Sequence, residues 1–124
     1  MNQVSFKYRT KQFALDIISL VEALPRGRTA DVIGRQLLRS ATSVGANYRA
    51  ACRARSKRDF IAKMGIVEEE ADESLFWLEL LAAKGFLSEA QATSLMREID
   101  EIIAMTVASI KTSRMQLSNP QSEI

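Results

Sequence analysis

The chain has 124 residues, 47% hydrophobic and 26% charged, with a formal net charge of +2, one cysteine and no histidine. That length suits one domain that buries roughly two-thirds of the surface its unfolded chain would expose. The composition excludes histidine-based catalytic triads, histidine-ligated metals, the Arg-His ribonuclease motif of some helical-bundle toxins and an internal disulfide. Five Gly and two Pro among many Ala, Leu, Ile, Glu and Arg favour helices.

The first predicted helix runs from about Val4 to Leu24, where Pro25 and Gly27 stop it. The second opens near Thr29 or Asp31, either of which can cap it, and continues to about Arg55. Its apolar stripe is Ile33, Leu37, Ala41, Val44, Tyr48 and Ala51. Ser56 is the expected cap of the third helix, with Asp59 three residues on in the position of a capping box. That helix carries the stripe Phe60, Met64, Val67, Ala71, Leu75, Leu78 and Ala82, and Gly85 suits the residue after its C-cap. Ser88 with Gln91 opens the fourth, whose stripe is Leu95, Ile99, Ile102, Thr106 and Ile110 with Val107 beside it, and which fades after about Met115. Steps of three and four give helices packed nearly parallel or antiparallel, and short connections make neighbours antiparallel. The expectation is all-α: an up-and-down four-helix bundle over residues 1–117, with a flexible polar tail over 118–124.

Charge is segregated. Residues 1–58 hold 12 Lys and Arg against 3 acids, and residues 59–124 hold 5 against 12. With Arg35 set at zero and about 100° per residue, Arg39, Arg49 and Arg53 fall within about 40° of it, while Leu37, Val44 and Tyr48 lie near 200°. The arginines therefore line the side opposite the core, and Arg55, Lys57 and Arg58 extend the charge into the next turn. Two readings of this stripe stay open. It contacts the phosphates of RNA or DNA through charge-assisted bonds, or it pairs with acids such as Glu68, Glu69, Glu70, Asp72 and Glu73 on the third helix, leaving a protein–protein assembly scaffold. No aromatic is interleaved among the arginines except core-facing Tyr48, so no base-stacking platform is evident.

A line of small residues, Ser40, Ser43, Asn47, Ala50 and Ala54, lets a neighbouring helix approach closely. Asn47 is expected to be a structural polar residue, its amide paired with Glu70 or Glu73. In the third helix Phe76 and Leu80 project about 160° from Leu78, and Trp77 points sideways. One core cannot bury them all, so Phe76, Trp77 and Leu80 are expected at a contact between copies of the chain, unless the first or fourth helix covers them.

The stretch R-S-A-T-S-V-G-A-N-Y from Arg39, together with E-A-D-E-S-L-F-W-L-E-L-L from Glu70, resembles the family of four-helix-bundle proteins encoded in intervening sequences of bacterial 23S ribosomal RNA genes, also labelled S23 ribosomal proteins. Ser40, Ser43, Asn47, Glu70, Glu73, Trp77 and Glu79 match its motif. It is also similar to the accessory variability protein of diversity-generating retroelements. The resemblance implies a homopentameric barrel and, from the latter protein, a basic surface for nucleic acid and a nucleic-acid-processing partner. Ala50 departs from it, because an acid commonly follows N-Y-R in the family.

Catalysis is not expected. Cys52 lacks a histidine partner and lies near the core side, and GRTADVIGR lacks the Lys-Ser or Lys-Thr of a phosphate loop. A di-metal centre would need Glu-x-x-His pairs. No cofactor or metal is expected. With no charged-then-apolar leader and no apolar run near the roughly 18 residues of a membrane span, a cytoplasmic location is expected.

Overall fold

The computed structural model describes residues 2–119, and the expected polar tail falls mostly on residues 120–124, outside them. Four helices follow in order: α1 Gln3–Glu22, α2 Arg28–Cys52, α3 Lys57–Ala83 and α4 Glu89–Ser118. Each packs on the next in an up-and-down bundle, with α2 on α3 the most extensive seam and α1 on α4 the sparsest.

Helix starts follow local chemistry. Asn2, which sequence pattern did not single out, caps α1 by accepting from the Val4 and Ser5 amides at 2.8 and 3.2 Å. Ser56 caps α3 by accepting from Asp59 N, and Ser88 with Gln91 forms a complete capping box on α4. Asp59 does not complete the expected box at Ser56. Its carboxylate accepts instead from the Arg55 amide at 3.2 Å and from Lys63 Nζ at 2.6 Å. Neither Thr29 nor Asp31 caps α2: Gly27 occupies that position, and both residues lie inside the first turn.

Helix ends are equally local. The α2 helix stops at Cys52 rather than near Arg55. Arg53 and Ala54 donate to Ala50 and Ala51, which tightens the last turn, and the extended backbone of Ser56 needs the chain to leave the helix. At the end of α3, Gly85 has φ +77, and Phe86 N donates to Leu81 O while Gly85 N donates to Ala82 O. That pair of bonds is a Schellman ending, and the left-handed backbone it needs favours glycine. The α4 helix runs three residues past Met115, to Ser118.

The core takes Phe6, Phe13, Ile17 and Leu20 from α1 and Leu37, Ala41, Val44, Tyr48 and Ala51 from α2, as the α2 pattern predicts except at Ile33, which is half-buried. Phe6 and Tyr48 meet edge to face with centroids 4.5 Å apart. On α3 the buried line is Met64, Val67, Ala71, Ser74, Leu78 and Leu81, while Phe60, Leu75 and Ala82 are half-buried. The expected stripe drifts because hydrophobicity selects Leu75, whereas the centre of the seam is Ser74. Ser74 Oγ lies 2.9 Å from Ser40 Oγ of α2, and both side chains are fully buried. On α4, Ile99, Ile102, Thr106 and Ile110 are buried, Leu95 is half-buried and Val107 is exposed.

The sparse α1–α4 seam is clasped by Arg9. Its Nε donates to Glu98 Oε2 at 2.9 Å and its Nη2 to Glu98 Oε1 at 2.6 Å, with Glu101 at 3.6 Å. The Glu98 bond holds the guanidinium above its ordinary pKa range against the opposing effect of burial. Bidentate geometry strengthens the pair, and partial exposure of both side chains screens it. Arg9→Met is expected to cost about 1 kcal/mol, read as a drop of about 4 °C in thermal unfolding. An unchanged midpoint would show that the seam does not depend on this clasp.

The Asp59 carboxyl is held below its usual range, first by Lys63 and then by the Arg55 amide. A depressed folded pKa stabilises the protein above the unfolded value, near 3.9, and that contribution disappears as pH falls through the folded value. Asp59→Asn should therefore lower the unfolding midpoint at neutral pH and match the wild type once pH is well below about 3.9. A difference independent of pH would contradict this account.

Candidate nucleic-acid interface

The arginines of α2 share one side at helical spacing, but tertiary neighbours divide them. Arg35 pairs within its own helix, Nη2 to Asp31 Oδ2 at 3.0 Å. Arg39 reaches across to α3, with Nη1 3.3 Å from Glu70 Oε2 and Nη2 bonded to Glu73 Oε2. Glu73 also accepts from Trp77 Nε1 at 3.1 Å. Arg39 is thus part of a link between helices, as the carboxylate reading of the stripe expected for this position.

Further along, the picture reverses. Arg49, Arg53, Arg55 and Arg58 are exposed and, among the described residues, form no ion pair. They follow the last turn of α2 into the first turn of α3. Lys57, half-buried there, donates to Gln116 Oε1 of α4. Arg53 and Arg55 sit at the negative end of the α2 dipole and are favoured there. Lys57 and Arg58 sit at the positive end of α3, where cations are disfavoured. Ala50 stands where the resemblance implies an acid, and the neighbouring Arg49 keeps its charge free of carboxylates.

Asn47 does not bond Glu70 or Glu73. Its Nδ2 donates to Ser43 O at 2.8 Å within α2, because both glutamates are drawn to Arg39. The small-residue line faces inward as expected: Ser40 is buried, and Ser43, Asn47, Ala50 and Ala54 are half-buried.

Sequence pattern missed a contribution from α1. Between α1 and α2 lies a groove of about 540 Å³ lined by Lys7, Tyr8, Lys11, Thr42, Ala46 and Arg49. Tyr8 is 68% exposed. The four-residue spacing of Lys7 and Lys11 marks one helix edge, but only the pairing of α1 with α2 brings that edge to Arg49.

On α3, Phe76 is 50% exposed and meets Trp77 edge to face, with centroids 5.1 Å apart. Trp77 is partly buried against the core, and Leu80 is half-buried. The bundle's own helices therefore cover Trp77 and Leu80 in part and leave half of Phe76 in water.

Cys52 is half-buried beside Tyr48. Burial first, and then Cys52, push the Tyr48 phenol well above its ordinary range. Tyr48 is buried in the core, with its ring edge to face against Phe6. Among the described residues no three His, Cys, Asp or Glu side chains come together in a way that could hold a metal ion. No described helix is long and apolar enough to cross a membrane.

Comparison with known proteins places this geometry. Residues 3–108 match the family described as 23S rRNA-intervening sequence protein. The fold is similar to a crystal structure of a protein of unknown function from the S23 ribosomal protein family of Bacteroides thetaiotaomicron. The two share 36% sequence identity at a TM-score of 0.83, over 90% of this chain and 99% of that one. No curated protein matches the sequence. A match over residues 3–108, which takes in α1, α2, α3 and the first two-thirds of α4, shows that the chain belongs to the 23S rRNA-intervening sequence protein family.

Proposed function

We propose that this protein is a non-enzymatic accessory protein that binds RNA or DNA through the basic end of α2 and acts as an oligomer. The observation that carries the reading is the run Arg49, Arg53, Arg55 and Arg58, exposed and in no ion pair among the described residues. Arginine matches phosphate geometry through two parallel bonds, and a protein that neutralises phosphates releases their counterions. Two cations at the positive end of α3 work against its dipole, and a phosphate docked there would relieve both. A nucleic-acid-processing protein is the partner that such an accessory would serve.

The scaffold reading finds support at Arg39, which Glu70 and Glu73 engage. The two readings part in a salt titration. Nucleic-acid affinity should fall steeply with salt, and Arg49, Arg53, Arg55 and Arg58 changed together to Gln should reduce the slope of log affinity against log salt by about 3. The pair Arg35→Gln and Arg39→Gln should leave the slope unchanged. Absence of binding at low salt would overturn the reading in favour of the scaffold. Equal losses in the two variants would overturn the division of the stripe.

For assembly, the half-exposed Phe76 with Trp77 and Leu80 beside it is the surface we assign to contacts between copies, since exposed apolar clusters usually mark interfaces. Phe76→Ser touches little of the core, so the fold should survive it. Light scattering is expected to show the wild type as a multiple of the 13.8 kDa chain and the variant shifted toward the single chain. An unchanged mass would remove Phe76 from the contact.

A further inference from the structure

The α1–α2 groove differs from the arginine run around the α2–α3 turn in one respect: it combines cations with an exposed aromatic ring. Lys7 and Lys11 on α1 and Arg49 on α2 line it, and no carboxylate does. None of the three forms an ion pair among the described residues. Tyr8 lies between the lysines in sequence and lines the same groove, and its ring is left largely in water. The core does not use it: the buried face of α1 is Phe6, Thr10, Phe13, Ile17 and Leu20, and Tyr8 projects about 160° from Phe6.

The surrounding side chains are small, with Ala14, Thr42, Gly45 and Ala46 along the groove. Thr42 spends its hydroxyl proton on the Leu38 and Arg39 carbonyls of its own helix. The groove thus offers cationic donors on its edges and a flat π-face, without a competing acceptor from an acid. A volume of about 540 Å³ is on the scale of a site for one small ligand rather than a duplex. Arg53 stands one helical turn, about 6 Å, beyond Arg49, which joins the groove to the exposed arginines of the α2–α3 turn.

We propose that this groove binds single-stranded nucleic acid, with phosphates on Lys7, Lys11 and Arg49 and an unpaired base stacked on Tyr8. The proposal rests on the nucleic-acid reading above and adds to it the strandedness of the ligand and the residue that selects it. Stacking on a side chain needs a base free of its own neighbours, which a single strand supplies and an intact duplex does not. Cations alone would accept either form.

The test uses the full chain and fluorescein-labelled probes of roughly 16 nucleotides: oligo(U), oligo(dT) and a mixed-sequence duplex, read by fluorescence anisotropy across a salt series. Tyr8→Ala should weaken binding of both single strands about tenfold with the salt slope and duplex binding unchanged, and Tyr8→Phe should restore it. Lys7→Gln with Lys11→Gln should lower the single-strand salt slope by about 1.4. All three positions, Lys7, Tyr8 and Lys11, are exposed, and circular dichroism of each variant checks that it folds. If the wild type binds but Tyr8→Ala and the lysine pair bind single strands as tightly as it does, the groove is overturned and the broader reading stands. If the wild type binds no probe at low salt, both fall. Equal loss on duplex and single strand in Tyr8→Ala would overturn the stacking role. A Tyr8→Ala variant whose native mass changes while its affinity does not would place Tyr8 in a protein contact instead. A difference between oligo(U) and oligo(dT) in the wild type, reduced by Tyr8→Ala, would support the groove.

Discussion

The close contact of α2 with α3 is the constraint on which the rest of the molecule depends. At its centre two serine hydroxyls meet: Ser74 Oγ is 2.9 Å from Ser40 Oγ, with neither exposed to water. Ser40 donates to Leu37 O, so its oxygen is free to accept from Ser74. Small side chains on both sides let the helices approach, and buried hydroxyls are tolerated only because each is bonded. Ser43 and Asn47 continue the seam and bond the carbonyls of their own helix, at Arg39 and Ser43 respectively. Among the described residues no buried side-chain polar atom lacks a partner. A seam satisfied in this way fixes the rotation of α2 about its axis, and that rotation decides which arginines meet α3 and which meet solvent.

From that rotation comes the division of charge. Arg39 lies close enough to the acidic centre of α3 to be captured by Glu70 and Glu73, and Glu73 in turn orients the Trp77 indole. Three turns further on, α2 has passed the acids that hold Arg39, and the guanidinium groups of Arg49, Arg53 and Arg55 form no ion pair among the described residues. Charged pairs near the surface add little stability, so the Arg39 contact serves register more than energy. The exposed arginines contribute a positive field that compaction of the chain does not need, and such fields steer anionic partners. Segregation of 12 basic residues in the first 58 from 12 acids in the remainder thus resolves into a local link at one position and a free cationic surface at others.

Much of the fold is legible in the residues because helices are specified locally. The caps at Ser56 and Ser88, the stop at Gly85 and the α2 core line all rest on interactions within a few residues of one another. The misreadings have a common cause. Asp31 reads as a cap but lies inside the first turn, since the chain leaving Pro25 reaches helical geometry at Arg28. Ser74 reads as polar surface but is core, because its partner Ser40 sits 34 residues away. The amide of Asn47 reads as a cross-helix donor, but Arg39 outcompetes it for both glutamates: a cation binds carboxylates more strongly than a neutral amide does.

Taken by itself, the sequence determined the four helices, their order, the apolar line of α2 and the location of its arginines on the opposite side, since periodicity, caps and breakers act within one helix. Only the tertiary structure decided that Arg39 is tied to α3 while Arg49 is not, that Phe76 stays half in water, and that Lys7, Tyr8 and Lys11 share a groove with Arg49. Those outcomes depend on the register and rotation of one helix against another, which are set by summed packing over many weak contacts rather than by any short motif.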